Sequence, residues 1–172
     1  MTHTEAGVAL ALTKGNIVRQ PDVDAIVNAA NAQLRTGGGV AGAIHAEETR
    51  PLAPLQPGEA VRSGAHDLPN DHVIHVLGPV YGRDEPSDKL LRAGYKNALR
   101  RAEEHDIASI AFPALSTGAF GYPLDEAARI ALATVLDAAP HLHTVEHVRF
   151  VLFGDDALRA HERVLSALRP NT

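Results

Sequence analysis

The chain has 172 residues, 45% of them apolar and 22% charged, the balance of one soluble globular unit whose core needs no covalent staples. It contains no cysteine, which excludes disulfides, thiolate nucleophiles and cysteine zinc sites and suits a reducing compartment. A net charge of −5 and an aromatic content of 4% argue against a surface devoted to nucleic-acid phosphates, but not against a small phosphate site made of backbone N–H groups. The opening residues MTHTEAG lack a basic region followed by an apolar one, and no apolar run approaches the ~18 residues of a membrane span. A cytoplasmic protein without a membrane partner is expected.

Short β-rich runs alternate with longer amphipathic ones. Val8–Leu12, Ala25–Asn28, Val73–Val76, Ser109–Phe112 and His147–Leu152 read as buried strands, with Glu59–Ser63 as a further strand at an edge. Three prolines between Arg50 and Gly58 forbid a helix there and predict an ordered surface loop. Lys89–His105 predicts a helix with Leu90, Leu91, Ala98, Leu99 and Ala102 largely on one face. Leu124–Leu136 predicts a second, with Pro123 in its first turn. Asp155 or Asp156 is expected to cap a last helix carrying Leu158, Val164, Leu165 and Leu168. Alternating strands and helices imply an α/β layered fold, in which ligands gather beyond the carboxyl ends of the strands.

Two loops are built for that place. After Val27 the chain runs NAANAQLRTGGGVAGAIH, from Asn28 to His45. Gly37, Gly38 and Gly39 let backbone approach a ligand, and the small-residue run behind them resembles a helix start, which favours an anion. No Lys or Arg is needed for such a cradle; a glycine-rich turn without a ligand is the alternative. Asn28 is expected to pin the loop, whereas Asn31, nearer the glycines, is placed to hold a ribose hydroxyl or a water. His45 reads either as a second hydrogen-bonding group behind the site or as part of it. The second loop follows Pro113 as ALSTGAFGYP, where Ser116, Thr117, Gly118 and Ala119 offer consecutive N–H donors and two hydroxyls ahead of a helix. Phe120 is expected to pack on a sugar or plug the core, and no GxSxG elbow surrounds Ser116, so a serine hydrolase is a poor reading.

Gly15-Asn16-Ile17, DAIVNAAN (24–31), GGGVAGAIH (37–45), VIHVLGP (73–79) and PALSTGAFGYP (113–123) occur in this order, and the last strand closes at Phe153. In that combination the sequence resembles the macrodomains, the ADP-ribose-binding module, over nearly the whole chain, as one domain spanning 1–172. PGEAVR from Pro57, with Leu68-Pro69, resembles the MacroD-like hydrolase branch. The resemblance implies a three-layer α/β/α sandwich around a mixed sheet. It also implies roles by matched position. Asn16 stands where an Asp usually accepts from the adenine amino group; its carbonyl oxygen can still accept, but without the charge. Ile17 offers its backbone to adenine and Phe153 stacks on it. Gly38, Gly39 and Val40 line one side of the phosphates, Ser116, Thr117, Gly118 and Ala119 the other, with Phe120 against the distal ribose and Asn31 near its anomeric carbon. Ala41 stands where the MacroD-like branch has an Asp that positions the attacking water or the distal ribose; archaeal and viral macrodomains with hydrolase activity also have Ala there.

The function implied is hydrolysis of esters on the distal ribose, with Asn31 and His45 as candidate catalytic residues. ADP-ribosylated proteins or O-acetyl-ADP-ribose are the expected partners, without metal or cofactor. A non-catalytic ADP-ribose reader is the alternative, supported by the missing carboxylate at Ala41. A general nucleotide or RNA binder is disfavoured by the acidic balance and sparse aromatics.

Overall fold

The structure, a computed structural model, describes residues 1–30, 55–65 and 67–170. Among them seven strands form one sheet: β1 (Thr2–Glu5), β2 (Val8–Lys14), β3 (Ala25–Ala29), β4 (Ala60–Gly64), β5 (His72–Val76), β6 (Ser109–Phe112) and β7 (His147–Leu152), in the order β1-β2-β7-β6-β3-β5-β4. The five inner strands run parallel, and β1 and β4 are antiparallel edges. The expected α/β sandwich about a mixed sheet is the fold observed. β3 and β6 read as continuous apolar runs because both of their faces are covered.

Among the described residues the helices are α1 (Ser87–Glu104), α2 (Leu124–Ala138), followed by a 3₁₀ turn at Ala139–His141, and α3 (Asp155–Leu168). Strand alternation sorts the core into two faces. Ala25, Val27, Ile74, Val76, Ile110, Phe112, Val148 and Phe150 share one cluster with Leu91, Tyr95 and Leu99 of α1, Leu132 and Val135 of α2 and Leu165 of α3. At its centre the rings of Phe112 and Phe150 stack at 5.6 Å, with Tyr95 against both. Ile26, Val73, Ala111 and Val151 point to the opposite face, where they meet Val23 and Ala65.

Several boundaries differ from expectation. β1 was not foreseen, because THTE lacks an apolar alternation; its pairing with β2, from Thr2↔Ala11 to Glu5↔Val8, holds it. The final helix is capped by Gly154 with no side-chain bond, so Asp155 and Asp156 lie in its first turn and act on the helix dipole rather than as caps. Pro123 is likewise the residue before α2, not part of it. In the proline-rich segment, Leu55 is buried at 3% exposure against Ala30 and Leu77, so its end belongs to the core rather than to a surface loop. Among the described residues no helix is long and apolar enough to cross a membrane.

Candidate functional site

A cavity of about 440 Å³ opens above the carboxyl ends of β2, β3, β6 and β7. Gly15, Asn16 and Ile17 form one wall, Phe153 and Ala157 stand beside them, Ala29 and Ala30 come from the end of β3, and 113–120 form the opposite wall. The structure therefore brings together Asn16, Ile17, Ser116, Thr117, Gly118, Ala119, Phe120 and Phe153, residues from three separate stretches of the chain. Asn31, Gly38, Gly39, Val40, Ala41 and His45 lie outside the described residues.

The loop after β6 is held by its own side chains. Ser116 adopts φ +67°, a conformation that L-residues visit at a cost of order 1 kcal/mol. Its hydroxyl donates to the Pro79 carbonyl at 2.8 Å, and its carbonyl accepts from Tyr122 N–H at 2.8 Å. Thr117 Oγ1 donates to the Ala114 carbonyl at 2.9 Å. Both hydroxyls that the sequence offered to an anion are thus spent on the loop itself. What remains for a ligand is backbone: among the described residues, the N–H groups of Ser116, Thr117, Gly118, Ala119 and Phe120 have no partner. The described lining of the cavity carries no charged side chain. Backbone N–H dipoles are the polar groups this wall could offer an anion.

Two residues without an assigned role fix this loop from behind. Tyr95, 1% exposed, reaches from α1 so that its phenol oxygen accepts from Leu115 N–H at 3.0 Å and donates to the Pro113 carbonyl at 3.4 Å. Burial pushes its phenol pKa upward, so it stays a neutral donor. Gly78 gives the loop room: a Cβ there would stand 2.2 Å from Ser116 Oγ. Gly78 was visible only as part of VIHVLGP. Tyr95 was one apolar-face aromatic on a helix, which signals core packing and nothing more.

At the other end, Asn16 lines the cavity, but its Oδ1 accepts from Val18 N–H at 3.1 Å while its carbonyl accepts from Gln20 Nε2 and Arg19 N–H. The side chain closes a local turn, leaving one lone pair of Oδ1 and the amide NH₂ for other partners. Phe153 is 92% exposed directly after β7, an apolar ring with no core role. Phe120 is half-buried against the cluster of Ala30, Leu55 and Leu77 and also borders the cavity. Asn28 does pin the end of β3: its Nδ2 donates to His75 Nδ1 at 3.1 Å. That bond leaves the proton of His75 on Nε2, which faces Ser63 Oγ at 2.8 Å, and Ser63 in turn donates to the Gly64 carbonyl. The tautomer is the reverse of what a serine nucleophile needs, so this buried Ser–His–Asn row is structural.

A Macro domain family profile matches residues 27–131. The chain belongs to the macro domain family. It is 42% identical over 158 residues to an O-acetyl-ADP-ribose deacetylase of Klebsiella pneumoniae, covering 85% of this chain and 90% of that one. Among solved structures, the Oceanobacillus iheyensis macrodomain with ADP superposes with a TM-score of 0.90 at 32% identity, covering 100% of this chain and 97% of that one. The Trypanosoma brucei macrodomain in complex with ADP-ribose superposes with a TM-score of 0.78 at 34% identity, covering 91% of this chain and 68% of that one. In this macro domain the profile takes in the loop after β6 and the end of β3, while Gly15–Ile17 and Phe153 lie on either side of it.

Proposed function

We propose that this macro domain binds ADP-ribose in the cavity and hydrolyses esters on the distal ribose, in the manner of the MacroD-like branch it resembles. Its substrates are O-acetyl-ADP-ribose and mono-ADP-ribosylated acidic side chains. The observation that carries this reading is the run 116–120, whose five N–H groups have no partner among the described residues and which lines a cavity whose described wall carries no charged side chain, a cradle suited to a diphosphate. Phe153 supplies a face for adenine, and the second lone pair of Asn16 Oδ1 accepts from its amino group. Names carried by relatives agree with this chemistry.

In the reaction, water adds to the acyl carbon, the ester C–O bond breaks, and the ribose oxygen leaves with a proton that the water gave up. Asn31 orients the ribose and the water, the substrate's own diphosphate accepts the proton in transit, and His45 holds neighbouring groups in place. Position and preorganised dipoles supply most of the acceleration. A glutamate linkage reacts ahead of serine or arginine linkages because it is an ester with an acyl carbon that water can attack, which the serine and arginine linkages lack.

The reader alternative rests on Ala41, which supplies no carboxylate to hold water. One experiment separates the two: turnover of O-acetyl-ADP-ribose and of proteins ADP-ribosylated at glutamate, serine and arginine, beside calorimetry with free ADP-ribose. The hydrolase reading expects release from the ester substrates. Asn31→Ala should cut that turnover by about 10- to 1,000-fold, or about 1.4–4 kcal/mol of transition-state stabilisation, while affinity for ADP-ribose falls much less. Tight binding with no release leaves the reader; absence of binding removes both.

A further inference from the structure

We propose that the seam between α1 and α2 is a docking groove for an extended acidic peptide segment of a partner protein. The seam is a second cavity, of about 600 Å³, that shares no residue with the first. It is lined by residues of α1 and α2 and by His141, Leu142 and His143 ahead of β7.

One wall is a row of cations. Arg92, Lys96 and Arg100 recur every fourth residue of α1, about 6 Å apart along the axis, and all three are exposed. Among the described residues Lys96 and Arg100 have no acidic partner, and Arg92 meets Asp137 only at 3.5 Å. The other carboxylate in the groove, Glu103, is turned away: it accepts from the N–H groups of His143, Thr144 and Val145 and from the Thr144 hydroxyl. The floor is apolar, formed by buried Leu99 and half-buried Leu142. In an extended peptide, side chains on one face recur every ~6.6 Å, so carboxylates at alternate positions fall in step with the three cations. Their methylene stems cross the apolar floor. The described lining offers no aromatic platform for bases, so a short acidic peptide fits better than a nucleic acid. The small area sets the expected affinity in the micromolar range.

The test is fluorescence anisotropy of the full chain with a labelled peptide of about 12 residues alternating Glu and Thr, at about 50 mM salt. Saturable binding is expected, weakened at least about tenfold in Lys96→Glu/Arg100→Glu, about threefold or more in Lys96→Gln/Arg100→Gln, and similarly by about 300 mM salt, at unchanged unfolding temperature. A peptide of equal composition with its Glu residues in one block should bind more weakly. No saturation by about 1 mM, or affinity unchanged in both double variants, overturns the groove. Equal binding of the block peptide overturns the extended register, and tighter binding of an oligouridylate through the same two residues replaces the peptide with a nucleic acid.

Discussion

At the scale of single residues, the loop after β6 is set by two contacts that involve no ligand. Because a Cβ on Gly78 would lie 2.2 Å from Ser116 Oγ, Gly78→Ala must displace a serine already held at φ +67°. We expect unfolding free energy to fall by about 1–3 kcal/mol and ADP-ribose affinity to fall about tenfold, read by urea titration and calorimetry. Retained affinity would mean that the loop holds its shape without this contact. Tyr95→Phe keeps the ring stack with Phe112 and Phe150 but leaves Leu115 N–H buried without its acceptor. A loss of about 1–3 kcal/mol in stability is expected, with a drop in affinity that Ser116→Ala, losing one hydrogen bond, exceeds or matches. That 116–120 would line a cavity beyond the strand ends was legible, because a loop of glycine and hydroxyl residues follows β6. The direction of the hydroxyls was not: whether Ser116 points at a ligand or at Pro79 depends on a carbonyl 37 positions away, in the segment after β5.

At the scale of elements, strand and helix placement followed from local patterns where burial enforces them. Ser109–Phe112 and His147–Leu152 needed only their apolar runs, and Leu91, Ala98, Leu99 and Ala102 marked the inward face of α1. β1 escaped because it depends on a partner, the register of β2, and the cap of α3 because its helix starts one residue earlier than an aspartate cap requires, with Gly154 in an extended conformation. Glu103 shows how elements are joined. Burial favours its neutral form, but the N–H of His143, the Thr144 hydroxyl and the N–H groups of Val145 and Thr144 outweigh it and hold the pKa at about 2, against 4.5 ordinarily. A folded-state pKa below the unfolded one means stability that is fully present above about pH 4.5 and lost as pH falls towards 2. Glu103→Gln should therefore cost about 1.5–3 kcal/mol at pH 6, and urea titrations should show the gap to the parent closing below about pH 3. A gap that stays constant with pH would mean that packing, not the charge, joins α1 to the segment before β7.

At the scale of the whole molecule, alternation alone implied a layered α/β fold, since parallel strands must be connected by helices that cover the sheet. Strand order was not legible, because neighbours such as β2 and β7 meet across more than 130 residues and no local signal records that pairing. The same pairing has a consequence during synthesis. β7 comes last in the chain among the described strands, yet it fills the slot between β2 and β6. Until it leaves the ribosome, the nascent sheet exists as two unjoined parts, each with an open edge that invites wrong partners. The ligand cavity spans that same slot, with Gly15–Ile17 on one bank, the 113–120 loop on the other and Val151 and Phe153 between them. On the proposed function, ADP-ribose would stabilise only chains in which β7 has been inserted, so its binding would mark the joining of the two parts rather than any stage before it.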